Sequence, residues 1–392
     1  MTILRRFLSS NLAVFLFVAA VHGVMTRANA IIGVDTQLYI TLADQVRAGT
    51  WSGVFDSSRV LWTKTIYIVL LAAARAISSV HWPLIMVAVN VLCSAATAVL
   101  LVALMRRATS SLPATALALA FYVTGFDIFT WVRWVLTDTI YTLAALGVFV
   151  LVAIPVLDPS APRRHGLLAA ALLFALFSRP PGMVLVALTA VAALWFWPPP
   201  RLRRGLLATM LLVIVAAVGF RTYIVHDPGR WPVHPLRQKI HEFAAREKSG
   251  EVIFGRQEAF RPPARTAGDH LVIQADRFAR FFQFTAAGYS RAHNLYNVLY
   301  FVALYLLALI GVVHGYRSAD RRRRDLVRLT LLWFLAFAVY HAITVLDYDW
   351  RFRTPVMPQL IVLAALGAEA LLQRVTWRRT SSAARVAFSS SK

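Results

Sequence analysis

The chain has 392 residues, of which 59% are hydrophobic and only 15% are charged, and its formal net charge is +23. A soluble domain carries about a quarter charged residues, so this composition excludes an ordinary soluble protein. Apolar runs near the roughly 20 residues of a spanning helix recur along the whole chain, which indicates an all-α, polytopic membrane protein. The basic residues lie in short clusters between these runs. We therefore expect membrane lipids and a phosphorylated lipid substrate as partners, and no nucleic acid.

The hydropathy pattern predicts about ten transmembrane helices with one consistent orientation. The predicted spans cover residues 7–29, 83–105, 112–130, 136–156, 166–179, 182–197, 205–225, 295–315, 326–346 and 355–373. Six basic clusters separate them, namely Arg5-Arg6, Arg106-Arg107, Arg163-Arg164, Arg201/Arg203/Arg204, Arg321 to Arg324 and Arg374/Arg378/Arg379. With ten spans, all six clusters face the same side, which the positive-inside rule assigns to the cytoplasm. The N-terminus is therefore predicted to be cytoplasmic, and the membrane to be the cytoplasmic (inner) membrane.

The same pattern divides the chain into four parts. Residues 1–225 form a transmembrane core, and residues 226–293 form a periplasmic loop that is long enough to fold as a small subdomain or lid. Residues 294–374 supply the C-terminal transmembrane helices. The Ser- and Arg-rich tail, residues 375–392, is expected to be cytoplasmic and disordered.

The first outer loop, residues 30–81, contains one segment that is almost apolar enough to span the membrane. In 60-VLWTKTIYIVLLAAARAISSV-80, Lys64 and Arg75 leave only ten uncharged residues between them, or about 15 Å of helix. Because they are eleven positions apart, the two cations project within roughly 20° of each other. This pattern predicts a juxtamembrane helix that lies in the interface with its cations on one face.

The stretch 33-GVDTQLYITLADQVRAGTW-51 places Asp35 at the start of an amphipathic run, directly after the apolar AIIGV. A low-dielectric boundary favours proton uptake by a carboxylate, which makes Asp35 a candidate general base. An Asp at a helix start is also a common N-cap, where it accepts backbone N–H groups. The two roles are compatible, and the sequence leaves both open.

Further ionisable residues lie at the predicted outer ends of spans, where their cost suggests a function. Asp138 lies just inside an apolar segment, beneath Arg133 and Trp134, so a structural pair with Arg133 competes with a role in a site. Arg179 stands at a helix break made by two prolines, where a snorkelling cation that caps the preceding helix is the alternative.

The segment 347-DYDWRFRTPVMPQL-360 packs two Asp and two Arg into seven residues before a proline-marked helix start. A solvated salt bridge between Asp347 and Arg353 is the expected structural role there. Arg351 is left as a candidate for a site.

These positions place carboxylates and cations at one membrane face. The candidate cations are Arg59, Lys64, Arg133, Arg179 and Arg351. A reaction with a lipid-linked phosphate leaving group needs both kinds of group. A base takes the proton of an acceptor hydroxyl, and cations stabilise the charge that develops on the departing phosphate. The chain contains no GxxxxGK[ST] loop, no HExxH and no CxxC, which argues against an ATP-driven pump and a zinc protease.

The order of these motifs resembles that of the GT-C membrane glycosyltransferases. The closest likeness is to glycosyltransferase family 39 and its bacterial relatives, which include protein O-mannosyltransferases and lipid A aminoarabinose transferases. The likeness is carried by 35-DTQLYITLADQVRAGTW-51, 60-VLWTKTIYIVLLAAARAI-77, 136-LTDTIYTL-143, 178-SRPPGMVLV-186 and 351-RFRTPVMPQLIVLAALG-367. The resemblance implies a GT-C-like fold in a small bacterial form, with juxtamembrane helices in the first outer loop.

The resemblance also implies an inverting sugar transfer at the outer membrane face, from a polyprenyl-phosphate donor to a hydroxyl of a glycan, lipid or protein acceptor. Asp35 would be the general base. Lys64, Arg179 and Arg351 would bind the donor phosphate, with Arg59 behind them. The expected substrate contacts are Tyr39, Trp51, Trp62, Asp138 and Arg133. Aromatic residues at an interface also serve as simple membrane anchors.

The chain departs from the family pattern at two positions. The second acid of the family's outer-loop pair is Thr36 here, and the Pro that follows Lys64 in relatives is Thr65. Some relatives hold a divalent cation with outer-loop acids and others need none. The loss of one acid therefore leaves a divalent cation as a possible cofactor only.

Two other classes share part of this pattern. A glycan polymerase or ligase would use the same basic outer face for polyprenyl-diphosphate glycans, usually without an acid after the first span. A transporter or flippase would relay ions through intramembrane charges. Such proteins often contain structural repeats, and no internal repeat is visible in this sequence.

Overall fold

The computed structural model describes residues 2–27, 29–55, 61–162, 164–196, 235–254, 256, 259–344 and 351–389. Every regular element in these ranges is a helix, apart from two isolated β-bridges. The α-helices are α1 (Thr2–Ser9), α2 (Asn11–Thr26), α3 (Val34–Arg47), α4 (Thr65–Ile77), α5 (Trp82–Ala108), α6 (Leu112–Thr124), α7 (Phe126–Val132), α8 (Asp138–Leu157), α9 (His165–Leu176), α10 (Gly182–Phe196), α11 (Pro235–Lys248), α12 (Ala267–Phe281), α13 (Arg291–Arg317), α14 (Arg321–Ile343) and α15 (Met357–Ser389). Short 3-10 turns cover Leu61–Lys64 and Thr354–Val356.

Long apolar helices confirm the all-α, multi-pass class, while ten full-length spans are not confirmed within the described residues. Among the described residues, α5, α8, α13, α14 and the segment Thr354–Arg374 are long and apolar enough to cross a membrane. Two bent pairs, α1 with α2 at 89° and α6 with α7 at 52°, raise the number from 5 to 7 if each pair is one span.

Two other predicted spans are short helices. The α9 helix has 12 residues and α10 has 15, or about 18 and 22 Å, against a hydrocarbon core of about 30 Å. The predicted span at 205–225 lies outside the described residues.

The helix ends beside four of the basic clusters meet at one end of the bundle, which will be called the basic end. Arg106 donates from Nη1 to the backbone oxygen of Ser9 at 2.7 Å. Thr109 donates to Glu369, and Arg323 pairs with the same carboxylate at 2.8 Å. The helix ends next to the clusters at 5–6, 106–107, 321–324 and 374 are therefore neighbours, as the charge pattern predicts. The assignment of this end to the cytoplasm stays a prediction.

The first half of α15 lies in the centre of the bundle and crosses α13 at close range. Gly311 and Gly367 make this approach possible. A Cβ added at Gly311 would lie 2.0 Å from the backbone oxygen of Leu363, and one added at Gly367 would lie 1.9 Å from that of Leu307. Small residues at such crossings are typical of membrane helix packing. Because α15 is central, the residues just before it, from Arg351 onward, lie in the middle of the end of the bundle opposite the basic end. This end will be called the site end.

Residues 30–55 and 61–81 form a helical layer at the site end. The α4 helix has 13 residues, and it packs on α3 through Tyr39 and Tyr67, whose ring centroids are 5.4 Å apart. Arg75 makes a two-point pair with Asp44, with both N–O distances 2.9 Å. Lys64 also contacts α3. Lys64 and Arg75, the two cations of the segment 60–80, therefore lie on the same side, and both contact α3.

The described part of the long loop 226–293 folds around a buried ion pair. Arg277 on α12 donates to Glu247 on α11 at 2.7 Å, and both side chains are fully buried. Within the amphipathic stretch 271–284, Ile273 and Phe281 are buried while Leu271 is exposed. These contacts give the loop a packed interior, whereas its boundaries as a separate subdomain stay a prediction.

The C-terminal tail differs from the expectation of disorder. The last helix continues to Ser389 and so includes most of the predicted tail at 375–392. The segment after Arg374 contains neither Gly nor Pro, the two residues with the lowest helix propensity, and its Ala and Arg residues favour a helix. That local preference extends a helix that the bundle has already nucleated.

Candidate functional site

Four of the predicted site residues form a chain of alternating charges at the site end. Arg351 donates from Nε to both carboxylate oxygens of Asp138, at 3.0 and 2.9 Å. Its Nη1 donates to Oδ2 of Asp35 at 3.2 Å. Arg179 donates to Oδ1 of Asp138 from the other side. The sequence therefore predicted the members of this cluster, which come from four distant segments.

Two segments hold the acids next to each other. Ile31 forms a parallel bridge with Trp134, and Thr36 donates from its hydroxyl to the backbone oxygen of Val135 at 3.0 Å. The first turn of α3 is thereby fixed against the loop that leads into α8, of which Asp138 is the first residue. Asn90 on α5 supports that loop by donating to the backbone oxygen of Trp134 at 2.8 Å.

Burial separates the roles of the two acids. The side chain of Asp138 is 0% exposed, and that of Arg179 is 4% exposed. The side chain of Asp35 is 53% exposed, while that of Arg351 is 13% exposed. A buried carboxylate between two guanidinium groups is a structural anchor, since a molecule from outside cannot reach it. Of the two acids in the charge cluster, Asp35 is therefore the one that a substrate can reach.

The helix-cap alternative for Asp35 is wrong. The N-cap of α3 is Gly33, and the backbone N–H of Gly33 donates to the Thr36 hydroxyl at 3.0 Å. Asp35 lies in the first turn and points to Arg351. About half of this side chain is exposed.

Lys64 and Tyr39 form the second part of the cluster. The Lys64 ammonium donates to the Tyr39 hydroxyl at 2.5 Å. Burial lowers the pKa of Lys64 to about 8, and the negative charge of Asp35 partly opposes this shift. Burial and the Asp35 charge both raise the pKa of Tyr39 above its usual value. Tyr39 is completely buried, so it positions Lys64 and does not line an open groove as predicted.

Arg179 and Arg351 each lie over an aromatic ring that the sequence did not single out as a site residue. The guanidinium carbon of Arg351 is 5.7 Å from the ring centre of Trp131. That of Arg179 is 4.8 Å from the ring centre of Phe352. Cation–π contacts of this kind favour the charged guanidinium in a site with little water. Arg179 is buried, so the expectation of a snorkelling helix cap is wrong.

The remaining predicted residues lie outside this set of contacts. Trp51 is 40% exposed and stacks on Phe55 with ring centroids 6.3 Å apart, which suits a membrane anchor. Arg133 does not pair with Asp138 as the structural alternative required, and its buried Nε has no hydrogen-bond partner among the described residues. Arg59 and the side chain of Trp62 lie outside the described residues.

A second buried pair, missed by the sequence reasoning, holds the segment that carries Arg351. Arg353 donates from Nε to Asp127 at 3.0 Å, and from Nη1 to the backbone oxygens of Phe281 and Gln283 at 3.1 and 2.6 Å. The Thr354 hydroxyl donates to the backbone oxygen of Asp127 at 2.9 Å. Asp127 is therefore a partner of Arg353, while Asp347, its expected partner, lies outside the described residues. The sequence did contain a signal for this pair, because Asp127 is an isolated acid within the predicted apolar span 112–130.

The donor groups of the cluster do not fit a divalent cation. Thr36, which replaces the second acid of the resembling family, is buried with its hydroxyl bound to backbone. Asp138 is held by two guanidinium groups. In the part of the chain that the structure describes, no three His, Cys, Asp or Glu residues group as metal ligands.

Comparison with known proteins gives no family for this chain. No protein-family model, no curated protein and no solved structure matches it.

Proposed function

We propose that the chain is a membrane glycosyltransferase, which moves a sugar from a polyprenyl-phosphate donor to a hydroxyl acceptor at the outer face of the cytoplasmic membrane. The observation that carries the proposal is the cluster at the site end. There one half-exposed carboxylate, Asp35, faces a fixed set of three cations, Lys64, Arg179 and Arg351. The cluster lies at the end of the bundle opposite the basic end, as a site on the outer face requires.

Each group has a part in the reaction. Asp35 takes the proton of the acceptor hydroxyl, and the acceptor oxygen attacks the anomeric carbon of the donor sugar. The bond between that carbon and the phosphate oxygen breaks, so the configuration inverts and the polyprenyl phosphate leaves. Arg351 and Lys64 stabilise the negative charge that collects on the leaving phosphate, and the buried Arg179 adds its positive charge from behind Asp138. Asp138 holds the two guanidinium groups at this position.

The three cations of the cluster suit a lipid-linked phosphate. Lys64, Arg179 and Arg351 place three positive charges at the site end, next to the accessible acid Asp35. A diphosphate carrier, as a polymerase or ligase would use, is the alternative that the deletion strain distinguishes.

A deletion strain tests the function and at the same time identifies the sugar. Mass spectrometry of its surface glycans and lipids shows which sugar is missing, and plasmid-borne wild-type protein restores it. Asp35→Asn is expected to restore less than about 1% of the modification, since an amide cannot act as the base. Asp44→Asn is the matched control, because Asp44 lies on the same helix and pairs with Arg75 outside the cluster.

Three outcomes oppose the proposal. Full restoration by Asp35→Asn removes the assigned base. Loss of whole polymer chains from the deletion strain, with each repeat unit intact on its diphosphate carrier, indicates a polymerase or ligase. Accumulation of an unmodified lipid-linked sugar on the cytoplasmic side indicates a flippase.

A further inference from the structure

The Arg351 guanidinium has two edges with different surroundings. Its Nε edge binds Asp138, which is fully buried and also held by Arg179. Its Nη1 donates to Asp35, which is about half exposed, at the longer distance of 3.2 Å. The guanidinium carbon also lies over the Trp131 ring, 5.7 Å from its centre. The arginine is therefore fixed on its inner edge, while its outer edge holds an acid that water can replace.

The two ion pairs differ in how easily they break. A pair with an exposed partner contributes little, because water solvates either charge once they separate. Breaking the buried pair would leave Asp138 charged without full compensation, which is costly. An incoming anion will thus displace Asp35 from Arg351 and leave Asp138 in place. The phosphate of a lipid-linked donor is such an anion, and guanidinium groups bind phosphate well.

We propose that the donor phosphate and Asp35 compete for Nη1 of Arg351, so that donor binding releases the base. This inference rests on the proposed function. While Asp35 is paired, its Oδ2 accepts a hydrogen bond from Arg351 at 3.2 Å and is turned to the guanidinium instead of an acceptor hydroxyl. Once the phosphate takes the guanidinium, the carboxylate is free to accept the proton of the acceptor hydroxyl. The site then activates an acceptor only after a donor has bound, and the order of binding is donor first.

The competition predicts an unusual result for the inactive variant Asp35→Asn. Removing the competing charge makes Nη1 more available, so a polyprenyl phosphate should bind Asp35→Asn more tightly than wild type. Exposed ion pairs correspond to roughly a two- to fivefold change in affinity. Asp44→Asn, which removes a partly exposed carboxylate elsewhere on α3, should leave the affinity unchanged.

Equilibrium binding of undecaprenyl phosphate to purified protein in nanodiscs measures this effect. Wild type, Asp35→Asn and Asp44→Asn are compared, with Asp35→Glu as a second variant that keeps the competing charge. The expected order places Asp35→Asn alone above the other three. Equal or weaker binding by Asp35→Asn overturns the competition while leaving the proposed function intact. Absence of binding by the wild type overturns the proposed function itself, because that function requires a site for the polyprenyl phosphate.

Discussion

Asp138 is the residue whose replacement should unfold the site end. Its carboxylate is fully buried and accepts hydrogen bonds from Arg179 and Arg351. Asp138→Asn keeps the shape of the side chain but leaves these guanidinium groups without their shared counter-charge. Loss of one partner from a buried ion pair costs about 3–5 kcal/mol. That is a large part of the roughly 5–15 kcal/mol of a typical folding free energy.

The free energy of unfolding can be measured by denaturant titration of the purified protein in mild detergent, followed by tryptophan fluorescence. Asp35→Asn is the matched control, because its pair with Arg351 is half exposed and should contribute only about 0–1 kcal/mol. The double variant Asp138→Leu/Arg179→Met should recover part of the loss, since removing both charged partners avoids an unpaired buried charge. If Asp138→Asn were as stable as Asp35→Asn, the assignment of Asp138 as the structural anchor would be refuted.

Two further predictions concern the second cation and the central helix crossing. Burial lowers the pKa of Lys64 to about 8, so its ammonium is charged below this pH and neutral above it. Because only the charged form stabilises the phosphate, kcat/KM for the donor should fall as the pH rises through about 8. Lys64→Arg should remove that fall, because a guanidinium stays charged; a pH–rate profile that is the same for both proteins would contradict this role. Gly311→Ala should destabilise the protein by about 1–3 kcal/mol, because the added Cβ would lie 2.0 Å from a backbone oxygen of α15. Gly147→Ala on α8 is its control, with no atom within 4 Å of the added Cβ, and equal thermal unfolding of the two variants would show that the crossing tolerates a side chain.

Much of the fold follows from hydropathy and charge, which act locally. The long apolar runs had to become helices, because a backbone in lipid must satisfy its own hydrogen bonds. The basic clusters were predicted to share a side because charge next to a span biases its orientation, and the helix ends beside four of them are neighbours. The short helices α9 and α10 show the limit of this reasoning, since apolar composition alone does not specify where a helix ends. The α9 helix ends at Leu176, before the Pro180-Pro181 pair that marks the break and before the predicted end at residue 179.

The members of the site were also visible in the sequence, because an ionisable residue beside an apolar run is conspicuous. Asp35, Lys64, Asp138, Arg179 and Arg351 were all selected on this ground and on the order of their motifs. Their cost in a membrane makes such residues rare, so the number of candidates is small.

Only the tertiary structure decided which charge pairs with which. Asp138 has an arginine five residues away in Arg133, yet it binds Arg179 and Arg351, which are 41 and 213 positions distant. Arg353 likewise binds Asp127 across 226 positions. Each pairing depends on which helix ends lie next to each other in the folded protein. A long side chain then pairs with the neighbouring charge that its geometry and burial allow it to contact. The sequence determined the class and the list of candidates, whereas the packing separated the buried anchor Asp138 from the accessible acid Asp35.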